Sequence, residues 1–150
     1  MIVEGSQDIS ANPQQVWDFV TDPGNVAKCL PDVQSSQVVD STTLRAKMKF
    51  GIDFAKGTFD GVFRFNPVIP QKNLIIDGEA KGLGSSVKVA IELNLEGTEK
   101  NTTLRWKVDV LISGLLKPAI TEGNLKSLAD HLAGEMFECI SSKITAPQQG

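Results

Sequence analysis

The sequence predicts an α+β fold in which a seven-stranded antiparallel sheet wraps around a long C-terminal helix, with two short helices between strands 1 and 2. Three observations lead to this prediction: apolar and polar residues alternate along most of the chain, helix-start signals follow the first strand, and a long helical stripe closes the sequence. The chain has 150 residues, 41% of them hydrophobic, enough for one core without a disulfide or a metal. We therefore expect a single domain over residues 1–150.

The strands are clearest in the second half of the chain. Residues 87–95 (VKVAIELNL) and 104–112 (LRWKVDVLI) alternate apolar and polar side chains, as half-buried antiparallel strands do. Weaker alternation predicts strands at 2–10, 33–39, 44–50, 59–65 and 74–79, with 33–39 at an edge of the sheet. Because the links between the last six strands are short, the sheet should be an antiparallel meander.

Helix signals occur near both ends of the chain. Asn12 before Pro13 is a good N-cap followed by proline at the first helical position, and a short second helix is predicted over 25–30. Apolar residues recur every three or four positions over 119–144, which predicts the long helix. At the usual helical rise this segment would be about 39 Å long. It is the one long amphipathic element available to cover the apolar face of the sheet.

Composition and charge exclude several classes of function. Lys and Arg number 15 and Asp and Glu number 18, a net charge of −3, which argues against nucleic-acid binding. The sequence lacks the run of about 18 apolar residues that spans a membrane, and no secretory signal pattern opens it. We therefore expect a cytoplasmic protein.

Residues that bind metals or act as nucleophiles are few. The single histidine, His131, lies within the long helix and is expected to face solvent. Cys29 and Cys139 are far apart in sequence with no C-x-x-C spacing, so we expect unbonded thiols in a reducing compartment. Together these residues fall short of the four ligands that a zinc site usually needs, and we expect no metal and no cofactor.

A cavity is predicted between the sheet and the long helix, because the inner face of a long curved sheet cannot contact one helix everywhere. Gly57 and Gly61 lie on the phenylalanine-bearing face of the 59–65 strand, and Ala46 and Ala90 lie in neighbouring strands, where they are expected to leave space. The alternative is that the aromatic residues form a simple core. From strand or helix phase, we expect seven side chains to line the cavity and bind a ligand: Phe50, Phe63, Ile91, Trp106, Leu128, Leu132 and Met136.

The order of the turns along the meander, which we call turn parity, predicts where the cavity opens. Alternate turns of a meander emerge at the same end of the sheet, which brings together the segments 51–56, 81–85 and 113–118. Apolar residues on exposed glycine-rich loops often mark a pocket mouth. We expect Phe54, Leu83 and Leu115 to form this mouth; the alternative is that they pack as core under the start of the helix. The segment 81–86 (KGLGSS) should be a hairpin loop and not a phosphate cradle, because a strand follows it.

Several segments in a fixed order resemble a known family. They are PQQVWDFVTDP, KGTFDGVF, DGEAKGLGSSVKVAIEL, TLRWKVDVLISGLL and the terminal helix with Met136-Phe137. Together, over about residues 2–144, they resemble the carbon monoxide dehydrogenase G-subunit family of the START-like helix-grip (SRPBCC) superfamily. The chain departs from the family pattern at three places: Asp32 stands where glycine is expected, LKPAI at 116–120 replaces a glycine-containing segment, and Met136 replaces one of a pair of phenylalanines.

The resemblance implies a helix-grip fold and a non-catalytic accessory protein of molybdenum-containing carbon monoxide dehydrogenases, associated with their recruitment to the membrane. The superfamily more broadly binds lipids, sterols and quinones under its last helix, and it includes cyclases. We therefore predict a binding or carrier protein, not an enzyme, for an apolar small molecule that is lipid or quinone-like.

Two alternative functions stay open. One is an accessory protein that recruits or assembles a molybdenum-containing carbon monoxide dehydrogenase-type hydroxylase, and the other is a cyclase-like enzyme. The expected partners are thus an apolar ligand and such a hydroxylase complex. Family members that act at the membrane carry a C-terminal extension that this sequence lacks, so we expect weak membrane-surface contact at most.

Overall fold

The computed structural model describes residues 1–52 and 55–145, without the side chains of residues 50–52, 55, 56 and 145. No helix among the described residues combines the length and the apolar character that crossing a bilayer requires. The elements in chain order are β1 (Ile2–Ile9), α1 (Pro13–Val20), α2 (Pro23–Ala27), β2 (Val33–Asp40), β3 (Thr43–Ile52), β4 (Ala55–Ile69), β5 (Asn73–Gly82), β6 (Ser85–Gly97), β7 (Thr102–Gly114), a 3₁₀ turn (Lys117–Ala119) and α3 (Glu122–Thr145).

The strands form one antiparallel sheet, as the sequence predicts. Within the described residues its seven strands are ordered β1-β7-β6-β5-β4-β3-β2. The last strand, β7, therefore returns to pair with the first, β1. The strands β1 and β2 are therefore the two edges, which confirms the prediction for 33–39. Almost all of β2 is exposed, and two register shifts interrupt its pairing with β3. Such irregularities make an edge strand a poor template for pairing with another chain.

Both short helices begin at local hydrogen bonds. At the start of α1, Asn12 Oδ1 accepts from Gln15 N at 2.9 Å, and Gln15 Oε1 accepts from Asn12 N at 3.1 Å. This reciprocal capping box confirms the predicted helix start. The second helix begins at Pro23, two residues before the prediction, because Asp22 caps it by accepting from Gly24 N at 2.9 Å.

The long helix α3 begins at Glu122 and not at 119. The segment before it forms the 3₁₀ turn Lys117–Ala119, and Ile120 is extended. Thr121 then caps α3, because its hydroxyl oxygen accepts from Asn124 N at 3.1 Å. The apolar stripe continues across this break, so periodicity alone could not locate it.

The most completely buried side chains of the core include residues of α1 and of strands β1, β5 and β7. Ile9, Val16, Leu74 and Leu104 have 0% of their surface exposed. Thr102 is equally buried, and its hydroxyl donates to the backbone oxygen of Ala11 at 2.8 Å, so that the buried polar group is satisfied. We call the region around Ile9, Val16, Leu74, Leu104 and Thr102 the packed end.

The two cysteines form a disulfide, so the prediction of unbonded thiols is wrong. Cys29 follows α2 and Cys139 lies in α3, and their Cα atoms are 5.5 Å apart across a sequence separation of 110 residues. Sequence spacing could not reveal this contact, because it depends on where α3 lies on the sheet. His131, by contrast, is exposed as predicted, with Nε2 3.1 Å from Glu135 Oε1.

A candidate ligand cavity under the C-terminal helix

A cavity of about 290 Å³ lies between the inner face of the sheet and α3. Its described lining comes from all three helices, from the segment that follows α2 and from every strand except β2, and it is apolar apart from the exposed residue Glu79. This volume is near the lower end of the range for small-molecule sites. The site therefore suits a small apolar molecule, or the apolar part of a larger one.

The cavity exists because α3 packs tightly on the sheet at two separate places. Leu125 near its start is 8% exposed, and Phe137 and Ile140 in its second half are 7% and 2% exposed. Leu125 and Phe137 are about 18 Å apart along the helix axis, and α3 crosses the curved sheet between them. Residues that face each other across this gap are only half-buried, namely Leu128, Ala129, Leu132, Ala133 and Met136 on α3 and Val87, Val89, Ile91 and Val108 on the sheet.

Six of the seven predicted lining residues lie around this cavity. They come from β4, β6, β7 and α3: Phe63, Ile91, Trp106, Leu128, Leu132 and Met136. The seventh, Phe50, lies in β3, but its side chain is outside the described residues. Ligand binding by these side chains stays a prediction.

The glycines of β4 do not leave open space as expected, because large side chains already cover them. The ring of Phe63 lies over Gly61 and over Gly78 of β5, so that a Cβ on Gly78 would be 2.6 Å from Phe63 Cδ1. Leu83 covers Gly57 in the same way, and a Cβ on Gly57 would be 2.5 Å from Leu83 Cδ2. Glycine at these positions lets an aromatic or leucine side chain lie flat on the sheet.

The outer face of the sheet carries a second, open depression of about 510 Å³. Ala90 lies there, in the opposite strand phase to Ile91, so its expected place beside the cavity is wrong. Charges of both signs from neighbouring strands surround it, including Arg64, Asp77 and Lys88. Alternating charge is typical of a solvated sheet face and does not suit an apolar ligand.

Two carboxyl groups at the protein surface, those of Asp60 and Asp40, have lowered pKa values, and both lie outside the described cavity lining. The Arg45 guanidinium donates to Asp60 at 3.2 and 3.3 Å, and this hydrogen bonding lowers the pKa of Asp60. The backbone N–H of Thr42 donates to Asp40 at 2.9 Å and lowers the pKa of that carboxyl. These groups stabilise strand pairing and a turn, and they bring no acid or base to the cavity.

Lys126 joins α3 to β1 beside the cavity. Its ammonium donates to the Glu4 backbone oxygen at 2.8 Å and to Asp130 at 2.7 Å, and it lies 5.4 Å from the ring centroid of Trp106. The Trp106 indole in turn fits against Gly5 of β1. A lysine that periodicity places on the polar side of the helix thus joins α3 to the edge of the sheet.

The disulfide lies beside the cavity wall on the side of α2. Leu30 and Pro31 follow Cys29 directly and line the cavity, and Met136 lies one helical turn before Cys139. Sequence reasoning did not identify Leu30 and Pro31 as lining residues, because the segment after α2 has no strand or helix phase from which an inward direction can be read.

Further lining residues could have been found from the sequence, and Val87 and Val89 are two examples. Both line the cavity, and they share the strand phase of Ile91, which lines it as well. Alternation therefore contained the signal, and only the position of α3 along the strands was missing.

Leu83 and Leu115 lie next to each other at one end of the sheet, as turn parity predicts. The β5–β6 link is the two-residue turn Leu83-Gly84, with φ of 51° and 67°, and Leu115 N donates to Gly84 O at 3.2 Å. Leu83 is 41% exposed and Leu115 is 79% exposed, so neither is core under the helix start. Neither is among the described residues that line the cavity, and Phe54 lies outside the described residues. Their role as a mouth stays a prediction.

Solved structures with the same fold cover nearly the whole chain. A conserved protein from Geobacillus kaustophilus has a TM-score of 0.86 at 21% identity, covering 96% of this chain and 95% of that one. A START superfamily protein from Mycobacterium smegmatis has a TM-score of 0.74 at 11% identity, with 95% and 96% covered. The Zhui aromatase/cyclase from a Streptomyces species has a TM-score of 0.68 at 10% identity, with 96% and 93% covered. These likenesses confirm the START-like helix-grip fold.

Sequence comparison is more specific about the family. A search of curated proteins finds no significant match. The family model of the carbon monoxide dehydrogenase G subunit (CoxG) matches residues 5–145, which is almost the entire described chain. With the sheet, the early short helices and the long C-terminal helix in place, this match confirms the resemblance noted from the sequence, and the chain belongs to the carbon monoxide dehydrogenase G-subunit (CoxG) family.

Proposed function

We propose that this protein binds an apolar small molecule, lipid or quinone-like, in the cavity under α3 and carries it. The observation that supports this most directly is a cavity of about 290 Å³ whose described lining is apolar apart from Glu79. Burial of about 200–300 Å² of apolar ligand surface contributes roughly 5–8 kcal/mol before the costs of association. We therefore expect micromolar affinity at best for a small apolar ligand.

A charge placed in the cavity should abolish binding. Leu132 is half-buried and lines the cavity, whereas its neighbour His131 faces solvent. Leu132→Arg therefore puts a guanidinium inside the site, and His131→Arg puts the same group outside it. In titrations with the uncharged dye N-phenyl-1-naphthylamine, we expect saturable binding by wild type and His131→Arg, and none by Leu132→Arg. Equal titration curves for the two variants, with far-UV circular dichroism unchanged, would contradict the proposal.

Organic extraction of gently purified protein, followed by mass spectrometry, addresses the class of ligand. A carrier should bring along a lipid or quinone-like molecule in an amount comparable to the protein, and Leu132→Arg purified in parallel should not. Equal amounts of the same lipids in both extracts would identify them as contaminants.

We also propose that the protein is not an enzyme. General acid–base catalysis needs a titratable group within hydrogen-bond reach of the reacting atoms. The one titratable residue in the described lining, Glu79, shares the strand phase of Asp77 and also borders the depression on the outer face of the sheet. The likeness to an aromatase/cyclase concerns the fold, at 10% identity.

The family assignment favours a second function. A member of the CoxG family is a candidate accessory protein that recruits or assembles a molybdenum-containing hydroxylase, and carrying a ligand to such a partner would join the two functions. Co-purification of a large molybdenum-binding polypeptide from the native source would support it. We place this activity in the cytoplasm, with no more than weak membrane contact through Leu83 and Leu115.

A further inference from the structure

We propose that the Cys29–Cys139 disulfide is a thiol–disulfide exchange site, through which a dithiol reductant loosens one wall of the cavity and releases the ligand. The inference rests on the proposed ligand-binding function and adds a means by which ligand release is regulated. The partner is defined by its chemistry: a molecule with two neighbouring thiols, such as a small protein with a Cys-x-x-Cys motif.

The bond joins two parts of the cavity wall that are held very differently. On the α3 side, Phe137 and Ile140 are 7% and 2% exposed, so the second half of the helix is anchored in the core whether or not the bond is present. On the other side, Leu30 and Pro31 form a short irregular segment directly after Cys29, and both line the cavity.

The segment after Cys29 is a two-residue link between two attachments to the rest of the protein. The helix before it, α2, has five residues and packs against α1, β2 and β3, and the next backbone hydrogen bond to the sheet runs from Lys49 N to Asp32 O at 3.0 Å. Breaking the disulfide should therefore move the segment of Leu30 and Pro31 and leave α3 in place. This movement opens the cavity between Leu30 and Met136, which lie on either side of the bond.

The two sulfurs differ in access, which gives the exchange a direction. Cys29 is 5% exposed, whereas Cys139 is only half-buried on the surface of α3. A thiolate of the reductant attacks Cys139 Sγ, forming a mixed disulfide and releasing Cys29 as a thiolate that takes up a proton. The second thiol of the reductant then attacks the sulfur of its own mixed disulfide and releases Cys139 as a thiol. The reductant leaves as a disulfide, having supplied two electrons and two protons.

The expected consequence is faster release of ligand from the reduced protein. In the oxidised protein, Leu30 and Pro31 are held against the bound molecule, and in the reduced protein they are free to withdraw. We expect the dissociation rate of N-phenyl-1-naphthylamine to rise by about fivefold or more on reduction, the lower end of common coupling between two sites. If affinity falls as well, linkage requires the bound dye to make the disulfide harder to reduce by the same factor.

Stopped-flow dilution of dye-loaded protein tests the inference. The rate is measured for oxidised wild type, for wild type reduced with dithiothreitol to two titrated thiols per chain, and for Cys29→Ser/Cys139→Ser with and without reductant. We expect the double variant to release dye at the reduced wild-type rate under both conditions. Circular dichroism is recorded for each state, so that release is compared between folded proteins.

Three results would overturn the inference. Equal release rates from oxidised and fully reduced wild type would show that the bond does not control the wall. Loss of the folded spectrum on reduction would show that the bond is a structural staple. Failure of the oxidised protein to bind dye would remove the proposed function itself, which the first two results leave intact.

Discussion

The inner face of the sheet is filled at the packed end and open under the middle of α3, although one pattern of alternating apolar residues builds both regions. At the packed end, α1 packs close to the sheet, and Leu74 and Leu104 have none of their surface exposed. Under α3, inward-facing residues such as Val89 and Val108 stay half-buried, because the helix crosses the curved sheet between two distant contacts. The difference lies in the covering helix and not in the strands, so stability and ligand binding should depend on separate sets of residues.

The largest effect on stability should come from the packed end. Leu104→Ala removes a fully buried side chain and should lower the free energy of unfolding by about 2–5 kcal/mol. Leu128→Ala truncates a half-buried cavity residue and should cost less than about 1 kcal/mol, because little buried surface is lost. Urea unfolding of both variants measures this difference.

Dye binding should show the reverse order. Leu104 lies outside the cavity lining, so Leu104→Ala should bind N-phenyl-1-naphthylamine like wild type under conditions where it is folded. Leu128→Ala removes part of the lining and should weaken binding about threefold or more, since each lost methylene contact contributes up to about 0.8 kcal/mol. Parallel losses of stability and dye affinity in both variants would show that the two regions are not separate.

A smaller effect is expected where β4 and β5 form the cavity floor. A methyl at Gly78 would lie 2.6 Å from Phe63 and 2.8 Å from Val89, so Gly78→Ala must push the Phe63 ring toward the cavity. Such overpacking typically costs about 1–3 kcal/mol, and the displaced ring should also reduce dye affinity. Thermal unfolding and dye titration of the same sample measure the two effects.

Gly134→Ala is the matched control. Gly134 lies on the exposed side of α3, and a methyl there would meet nothing within 4 Å. The same substitution should therefore raise stability, by up to about 1 kcal/mol, through the higher helix propensity of alanine. If both variants lose stability equally, the cause is not the contact with Phe63.

Strand and helix phase predict the parts of the cavity that lie on regular elements. Ile91, Trp106 and Leu132 can be assigned inward directions because period-2 and period-3.6 patterns fix which face a residue occupies. The signal fails where no period exists: Leu30 and Pro31 follow a helix of five residues, and the Cys29–Cys139 contact depends on the placement of α3. The prediction for Ala90 is wrong for a different reason, because it weighs the small size of the residue without its strand phase.

The position of α3 explains the remaining differences. Periodicity places its start at 119, yet Pro118 lies in the 3₁₀ turn, and Thr121 caps the helix three residues later. The contacts of Lys126 with Glu4 and Trp106 arise only once the helix lies along β1. Long-range docking of this kind leaves no local pattern in a single sequence.

Asp32 offers a test with a smaller and opposite effect on stability. The family pattern leads us to expect glycine there, and the residue has a φ of 53°, a left-handed conformation that glycine adopts without strain. Asp32→Gly should raise the free energy of unfolding by about 0.5–1 kcal/mol. Asp32→Ala should lower it, since alanine has neither the freedom of glycine nor the tolerance of aspartate for this region. A loss with glycine and none with alanine would mean that the backbone here is not strained.

The smallest effect on stability is expected at Leu83, where function should change instead. Leu83 has a φ of 51° in a two-residue turn, a position that asparagine or glycine normally occupies. Leu83→Asn relieves about 1 kcal/mol of backbone strain. It also loses a partly buried contact over Gly57 that contributes a similar free energy, so the free energy of unfolding should stay within about 0.5 kcal/mol of wild type.

If this exposed leucine belongs to the mouth, transfer of a fluorescent lipid between vesicles should nevertheless slow several-fold in Leu83→Asn, because an apolar contact at the opening is lost. Leu111→Asn is the control, since Leu111 is 65% exposed on the outer face of the sheet and should leave transfer unchanged. Equal transfer rates for Leu83→Asn and Leu111→Asn would place the opening elsewhere, and the α2 wall beside the disulfide would then be the first place to look.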